Sequence, residues 1–150
     1  MAHTHPRNAT PSATLALSLA LIGCGGRLPP PTVEPRPYAG PDVALDAAHD
    51  EHVLVFEAPT PGYLLFIDRA DRTRDPSPAT PLGVGVRTVY VTVQEPDPAH
   101  AYAQLVVNQR LALGIPPADP IKVFVRQVPF GARKTSAMSY RLAAKSAGVP

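Results

Sequence analysis

Thr88-Val89-Tyr90-Val91-Thr92-Val93 decides the fold. Valines 89, 91 and 93 recur at every second residue, with Thr88, Tyr90 and Thr92 between them. That period of two is the signature of a strand buried on one face, and β-branched and aromatic residues suit a pleated surface. Glu95-Pro96-Asp97-Pro98 stops the run, because proline cannot donate to a sheet ladder. Downstream, Ile121, Val123 and Val125 alternate with Lys122, Phe124 and Arg126. Between them, in the run from Tyr102 to Leu113, Ala103, Leu105 and Val107 alternate with Gln104 and Asn108. Residues 108–115 read either as strand or as one or two helical turns. Upstream, His52-Val53-Leu54-Val55-Phe56 and Tyr63-Leu64-Leu65-Phe66-Ile67-Asp68 flank the turn cluster Pro59-Thr60-Pro61-Gly62. Residues 69–81, with Pro76, Pro78 and Pro81, read as a long loop. Strand-length runs between Pro and Gly punctuation predict an all-β domain over residues 43–130, a small antiparallel β-sandwich or barrel.

Composition limits what surrounds and stabilises that domain. The chain has 150 residues, 45% of them hydrophobic, with 20 prolines and one cysteine. One cysteine allows no internal disulfide, so the domain must stand on its core. The formal net charge of +2 is too small to call for a polyanion, so nucleic acid is not an expected partner. No apolar run approaches the roughly 20 residues that span a bilayer as a helix.

Attachment to a membrane is instead written around Cys24. Residues 15–22, Leu-Ala-Leu-Ser-Leu-Ala-Leu-Ile, form an apolar run of the length a secretory signal needs, preceded by Arg7 and no acid. Leu21-Ile22-Gly23-Cys24 resembles the lipobox of bacterial lipoproteins. The resemblance implies export, cleavage before Cys24 and acylation of that cysteine, so that membrane lipid is itself a partner. Two or more acyl chains anchor stably where one does not. Gly25 stands where some lipoproteins carry an inner-membrane retention aspartate, which implies the outer membrane of the cell envelope over the inner one. Residues 24–42, with six prolines and three glycines after the cysteine, read as an extended tether. Residues 131–150 hold Arg133, Lys134, Arg141 and Lys145 and no acidic residue, and read as a mobile basic tail.

Reactive groups are sparse. His49-Asp50-Glu51-His52 is the densest polar cluster, and imidazole with carboxylate suits zinc or nickel. Histidines three apart converge on a helix, but here the second begins a strand, so a solvated turn is the plainer reading. Gly83-Val84-Gly85 lacks the strand-then-helix context of a phosphate loop. Ser77 lies between prolines without a nucleophile elbow. We identify no catalytic set and expect neither an enzyme nor a bound cofactor. Tyr63, Tyr90 and Tyr102 are the candidate contacts for a ligand or partner.

Pro59-Thr60-Pro61-Gly62-Tyr63, Val89 to Pro98, and Ala103-Gln104-Leu105-Val106-Val107 occur in an order that resembles the small C-terminal sandwich domain of PrcB-type protease-complex subunits, over about residues 57–128. That resemblance implies a non-enzymatic module contacting another envelope protein, through loops 57–63, 69–81 and 95–101. Two alternatives remain open at this point: a lipoprotein binding a cell-wall or small-molecule ligand, and a metal-dependent enzyme centred on His49 and His52. The anchor has a direct check. Cys24→Ala abolishes fatty-acid incorporation and moves the protein out of the membrane fraction; persistent labelling in that variant refutes lipidation.

Overall fold

The computed structural model describes residues 30–74, 85–132 and 138–148, which contain seven strands and no helix. These are β1 (Val43–Ala48), β2 (Glu51–Ala58), β3 (Leu64–Arg74), β4 (Gly85–Gln94), β5 (Val107–Ala112), β6 (Ile121–Val128) and β7 (Arg141–Ser146). They build a three-stranded sheet ordered β1-β2-β5 and a four-stranded sheet ordered β3-β4-β6-β7. The fold is thus the small all-β sandwich that the alternation predicts. Its pairings are antiparallel except one: β4 and β6 run parallel, with Val91 opposite Val125 and Thr92 opposite Arg126. A parallel pair cannot be closed by a hairpin. The chain crosses to the other sheet, forms β5, and returns.

The core lies between the sheets and follows the period of two. Leu54, Phe56 and Ala58 of β2 face Val89, Val91 and Val93 of β4 and Ile121, Val123 and Val125 of β6, all nearly inaccessible to solvent. Leu113 and Ile115, just after β5, join them, and Val43, Leu45, Tyr63, Leu65 and Leu111 close the margins. Phe56 and Tyr63 meet ring to ring at 5.6 Å.

Four expectations change. Residues 107–112 are strand, which settles 108–112 in favour of strand, while 113–115 and the first residues of the expected run, 102–106, form neither strand nor helix. Residues 69–74, expected in a loop, continue β3 past a bulge between Ile67 and Arg69; the rest of that stretch, with Pro76, Ser77, Pro78, Pro81 and the Gly83-Val84-Gly85 motif up to residue 84, lies outside the described residues. Residues 141–146, expected in a mobile tail, are β7. Arg-Leu-Ala-Ala-Lys-Ser has little intrinsic strand preference, but Leu142 pairs with Phe124 while Ala143 and Ala144 pack on the core, and that packing overrides propensity. Finally, the tether docks before residue 42. The backbone N–H of Tyr140 donates to Thr32, that of Glu34 donates to Tyr140, and Val33 makes a parallel bridge with Tyr140. Arg141 closes on Glu34 at 2.8 Å. Among the described residues, sheet pairing therefore extends beyond 43–130, to Thr32–Tyr38 on one side and to β7 on the other.

β1 is a strand beyond those the alternating runs predict. It joins β2 through His49-Asp50, both with positive φ (52° and 61°), the two-residue turn whose twist suits a hairpin. Non-glycine residues rarely take that conformation, which is why His-Asp gave no hairpin signal.

Strand order sets two ends. At the Tyr63 end lie the close of β2, β4 and β6 and the start of β3 and β5; at the His49 end lie the β1–β2 turn and the Pro116–Pro120 segment. Truncation after Ser139 discriminates between tail and strand. Loss of β7 exposes the flank of β6 and lowers Tm by about 4–8 °C for each kcal/mol lost, measured by circular dichroism; an unchanged Tm would return residues 141–146 to the status of a tail.

Candidate functional site

The predicted site residues do not converge. His49 is exposed in the turn, whereas His52 points inward from β2, is 3% exposed, and shares a 3.0 Å hydrogen bond between Nε2 and the Asp119 carbonyl. This bond pins the Pro116–Pro120 segment, which Arg87 also grips through Asp119 at 3.2 Å. His52 is thus a satisfied core histidine. Among the described residues no group of three or more His, Cys, Asp or Glu side chains is placed to hold a metal ion.

The three tyrosines part company as well. Tyr63 packs on the core margin. Tyr102 lies over the β2–β3 turn, so close to Gly62 that a Cβ there would sit 2.4 Å from its ring. Gly62 has φ of 101°, so glycine is demanded twice, by backbone and by neighbour. Those two tyrosines share the Tyr63 end. Tyr90 instead projects from the outer face of the four-stranded sheet, stacked on Phe124 at 5.6 Å and edge-on to Tyr140 at 5.1 Å.

That outer face holds a polar network the sequence did not announce. Thr92 is fully buried and donates its hydroxyl to the Asp68 carboxylate. Arg126, 8% exposed, donates from Nε to Thr92 Oγ1 at 2.8 Å and reaches Asp68 at 3.5 Å. Tyr140 donates to the same carboxylate at 3.0 Å, and the guanidinium lies 4.7 Å from its ring centre. Burial, with the Asp68 charge beside it, pushes the Tyr140 hydroxyl up to about 12, so it stays a donor at any physiological pH. The bulge in β3 aims Asp68 at Thr92, and the parallel register sets Arg126 beside Thr92. Every member is hydrogen-bonded, so the network is a fastening across β3, β4, β6 and the Tyr140 segment.

Two concavities flank this scaffold. One, of about 410 Å³, lies between the docked N-terminal segment and β6 and is lined by Glu34, Tyr38, Arg126, Gln127, Ser139 and Arg141 among others. Tyr38, likewise raised to about 12 by burial, reaches Gln127 there at 3.5 Å. The other, of about 360 Å³, crosses the solvent face of the three-stranded sheet from Asp42 and Ala44 over Val55 and Glu57 to Asn108. It opens onto β5, which has no ladder partner beyond β2 among the described residues. Leu113 donates its N–H to His52 across that ladder. By antiparallel alternation residues 107, 109 and 111 bond β2, while 108, 110 and 112 turn their backbone groups to the open edge. Among the described residues the other edges are guarded: β7 at its start by Tyr38, whose N–H donates to Leu142, β1 by β7 beside it, and β3 by its bulge and by Arg69, Asp71 and Arg72.

No protein-family model, curated protein or solved structure matches the chain.

The network and the surface pairs separate by stability. Arg126→Ala leaves the largely buried Asp68 carboxylate without its cation, hydrogen-bonded only to Thr92 and Tyr140, and costs about 3 kcal/mol in urea denaturation. Arg110→Ala, which removes an exposed 2.6 Å contact with Asp46, leaves the midpoint nearly unchanged. Equal midpoints for the two variants would overturn the fastening role.

Proposed function

We propose that the chain is a membrane-anchored bacterial lipoprotein whose β-sandwich is a non-enzymatic binding module for another envelope protein. The observation that carries the binding half is the open edge of β5. It presents the outward backbone groups of Asn108, Arg110 and Ala112 beside the concavity under Val55 and Asn108. An extended segment of a partner can add there as a fourth strand, taking affinity from main-chain hydrogen bonds and specificity from side chains seated in the concavity. Among the described residues the other three edges are guarded, so this one is singled out. The anchoring half rests on Leu21-Ile22-Gly23-Cys24, and the outer membrane is the proposed location.

The ligand-binding alternative has one observation in its favour, the 410 Å³ groove at Glu34 and Arg141. Tyr63, Tyr90 and Tyr102 do not line it, so the tyrosines that suggested that alternative play no part in it.

Site-specific photocross-linking in the cell envelope tests the edge. A probe replacing Arg110 captures one predominant protein, and a probe at Lys145 on β7 does not. Asn108→Pro lowers the Arg110 adduct about fivefold or more, because it removes one outward N–H and places a ring in the added strand's path while leaving the β2 ladder intact. A yield from Arg110 no higher than from Lys145, or unaffected by the proline, refutes strand addition.

A further inference from the structure

Large apolar side chains exposed to solvent are unevenly distributed over the described residues. Leu105 (61% exposed), Val106 (57%), Leu64 (48%) and Phe130 (47%) all belong to the Tyr63 end. Leu64 opens β3, Leu105 and Val106 lead into β5, and Phe130 follows β6. The remaining two, Val33 and Ile67, lie on the N-terminal segment and beside the β3 bulge. The His49 end instead exposes His49, Asp50, Pro116 and Ala118. The apolar end is also firmly built. Tyr102 is wedged against Gly62, the Gln109 side chain donates to the Tyr63 carbonyl at 2.8 Å, and Glu95 accepts from Gln127 at 2.8 Å. Half-buried Asp97 is paired with His100 at 2.8 Å, whereas Asp42 and Glu57, at the margin of this end, are exposed.

Where the chain enters gives this asymmetry its meaning. Thr32 and Glu34 are fixed to Tyr140, which immediately precedes β7, and β7 opens opposite Val125, three residues before β6 ends at the Tyr63 end. From Cys24 to Thr32 is eight residues, a reach of at most about 28 Å when fully extended. An eight-residue strand such as β6 is itself roughly 26 Å long. A lipid on Cys24 therefore brings the Tyr63 end within reach of the bilayer surface, with the His49 end about one strand length farther from the attachment point.

We propose that the Tyr63 end of the sandwich rests on the lipid surface, with Leu64, Leu105, Val106 and Phe130 entering the boundary between headgroups and acyl chains. This rests on the lipidation of Cys24. Apolar side chains held on a rigid end gain burial there without an ordering cost, and half-exposed Tyr63 and Tyr102 supply amphipathic rings suited to the same boundary. The contact adds to the acyl chains and orients the domain, leaving the β5 edge lateral and open to a partner in the same envelope. Glu95 and Asp97 are the carboxylates of the β4–β5 loop at this end. Both already hold partners, and exposed Asp42 and Glu57 at the margin would be repelled by anionic headgroups, so a zwitterionic surface is the fitting probe.

The chain has no tryptophan, so a single introduced one reports its own surroundings. Leu105→Trp, Phe130→Trp and, at the opposite end, Ala118→Trp are each purified from membranes as the mature protein. They are then reconstituted into phosphatidylcholine vesicles with or without brominated acyl chains, with mass spectrometry reading the lipid on Cys24. In the lipidated protein, tryptophans at 105 and 130 are quenched about twofold or more, and the one at 118 is not, as expected for insertion of about 5–10 Å. Lipidated protein in the vesicles without quenching at 105 and 130, or with equal quenching at 118, overturns the contact and leaves the anchor standing. Absence of lipid on Cys24 overturns anchor and contact together. Thermal melts matching the parent chain establish that each variant is folded, and agreement between positions 105 and 130 excludes a local artefact.

Discussion

The parallel pairing of β4 with β6 is the constraint on which the rest of the structure depends. Neighbouring strands that run the same way cannot be joined by a turn, so the chain must leave the sheet and come back. It does so through β5, and that detour supplies the third strand of the opposite sheet and the long segment 95–106 at the Tyr63 end. The same register brings Thr92 beside Arg126. Without it, a cation in a valine-rich strand would have no nearby hydroxyl to meet, and Asp68 would have no cation across the strand. One pairing thus determines the path of the chain, the closure of the core and the composition of the buried network.

Much of this fold is written in the sequence as alternation. Val89, Val91 and Val93, then Ile121, Val123 and Val125, declare strands because nothing but a half-buried sheet needs apolar residues at every second position. The alternation cannot declare partners. Thr92 and Arg126 occupy outward positions that a sequence reader assigns to solvent, and their burial follows from a covering group, Tyr140, 48 residues beyond Thr92 (140 − 92). Likewise β1 hides behind a His-Asp turn, and β7 behind residues that favour helices. Both form because a neighbouring strand and a core stand ready to receive them, which is tertiary information.

The candidate site was less legible, for a related reason. Tyrosines draw attention in a chain without tryptophan, yet Tyr90 stacks on Phe124 within the outer face, and Tyr63 seals the core. His49 and His52 sit three apart, but the hairpin sends one to solvent and the other into a hydrogen bond with a backbone carbonyl. What the sequence could not express is which edge is left open. That depends on Thr32–Glu34 pairing with Tyr140, and Tyr38 with Leu142, across more than a hundred residues, which places part of a proline-rich segment on the sheet. Once that edge is covered and β1 is flanked by β7, the bulge and charges of β3 leave β5 as the unguarded strand among the described residues.

Tether and edge then bear on each other. A domain hung on a long free linker would sample every orientation, and an open strand edge would meet partners at random. If Cys24 carries lipid as proposed, the linker is shortened by its own docking: each residue of 32–42 that joins the fold is removed from the reach between lipid and domain. In the proposed reading, the short reach and the apolar Tyr63 end act in the same direction, holding the strand axes away from the bilayer and the β5 edge sideways. A partner anchored in the same membrane would approach that edge within a plane, and two-dimensional confinement raises the effective concentration of an otherwise weak strand addition. In that proposed reading, docking of residues 32–38 beside Tyr140 and Leu142 is a functional part of the sandwich, and the Asp68–Arg126 network that holds Tyr140 in place is what makes it firm.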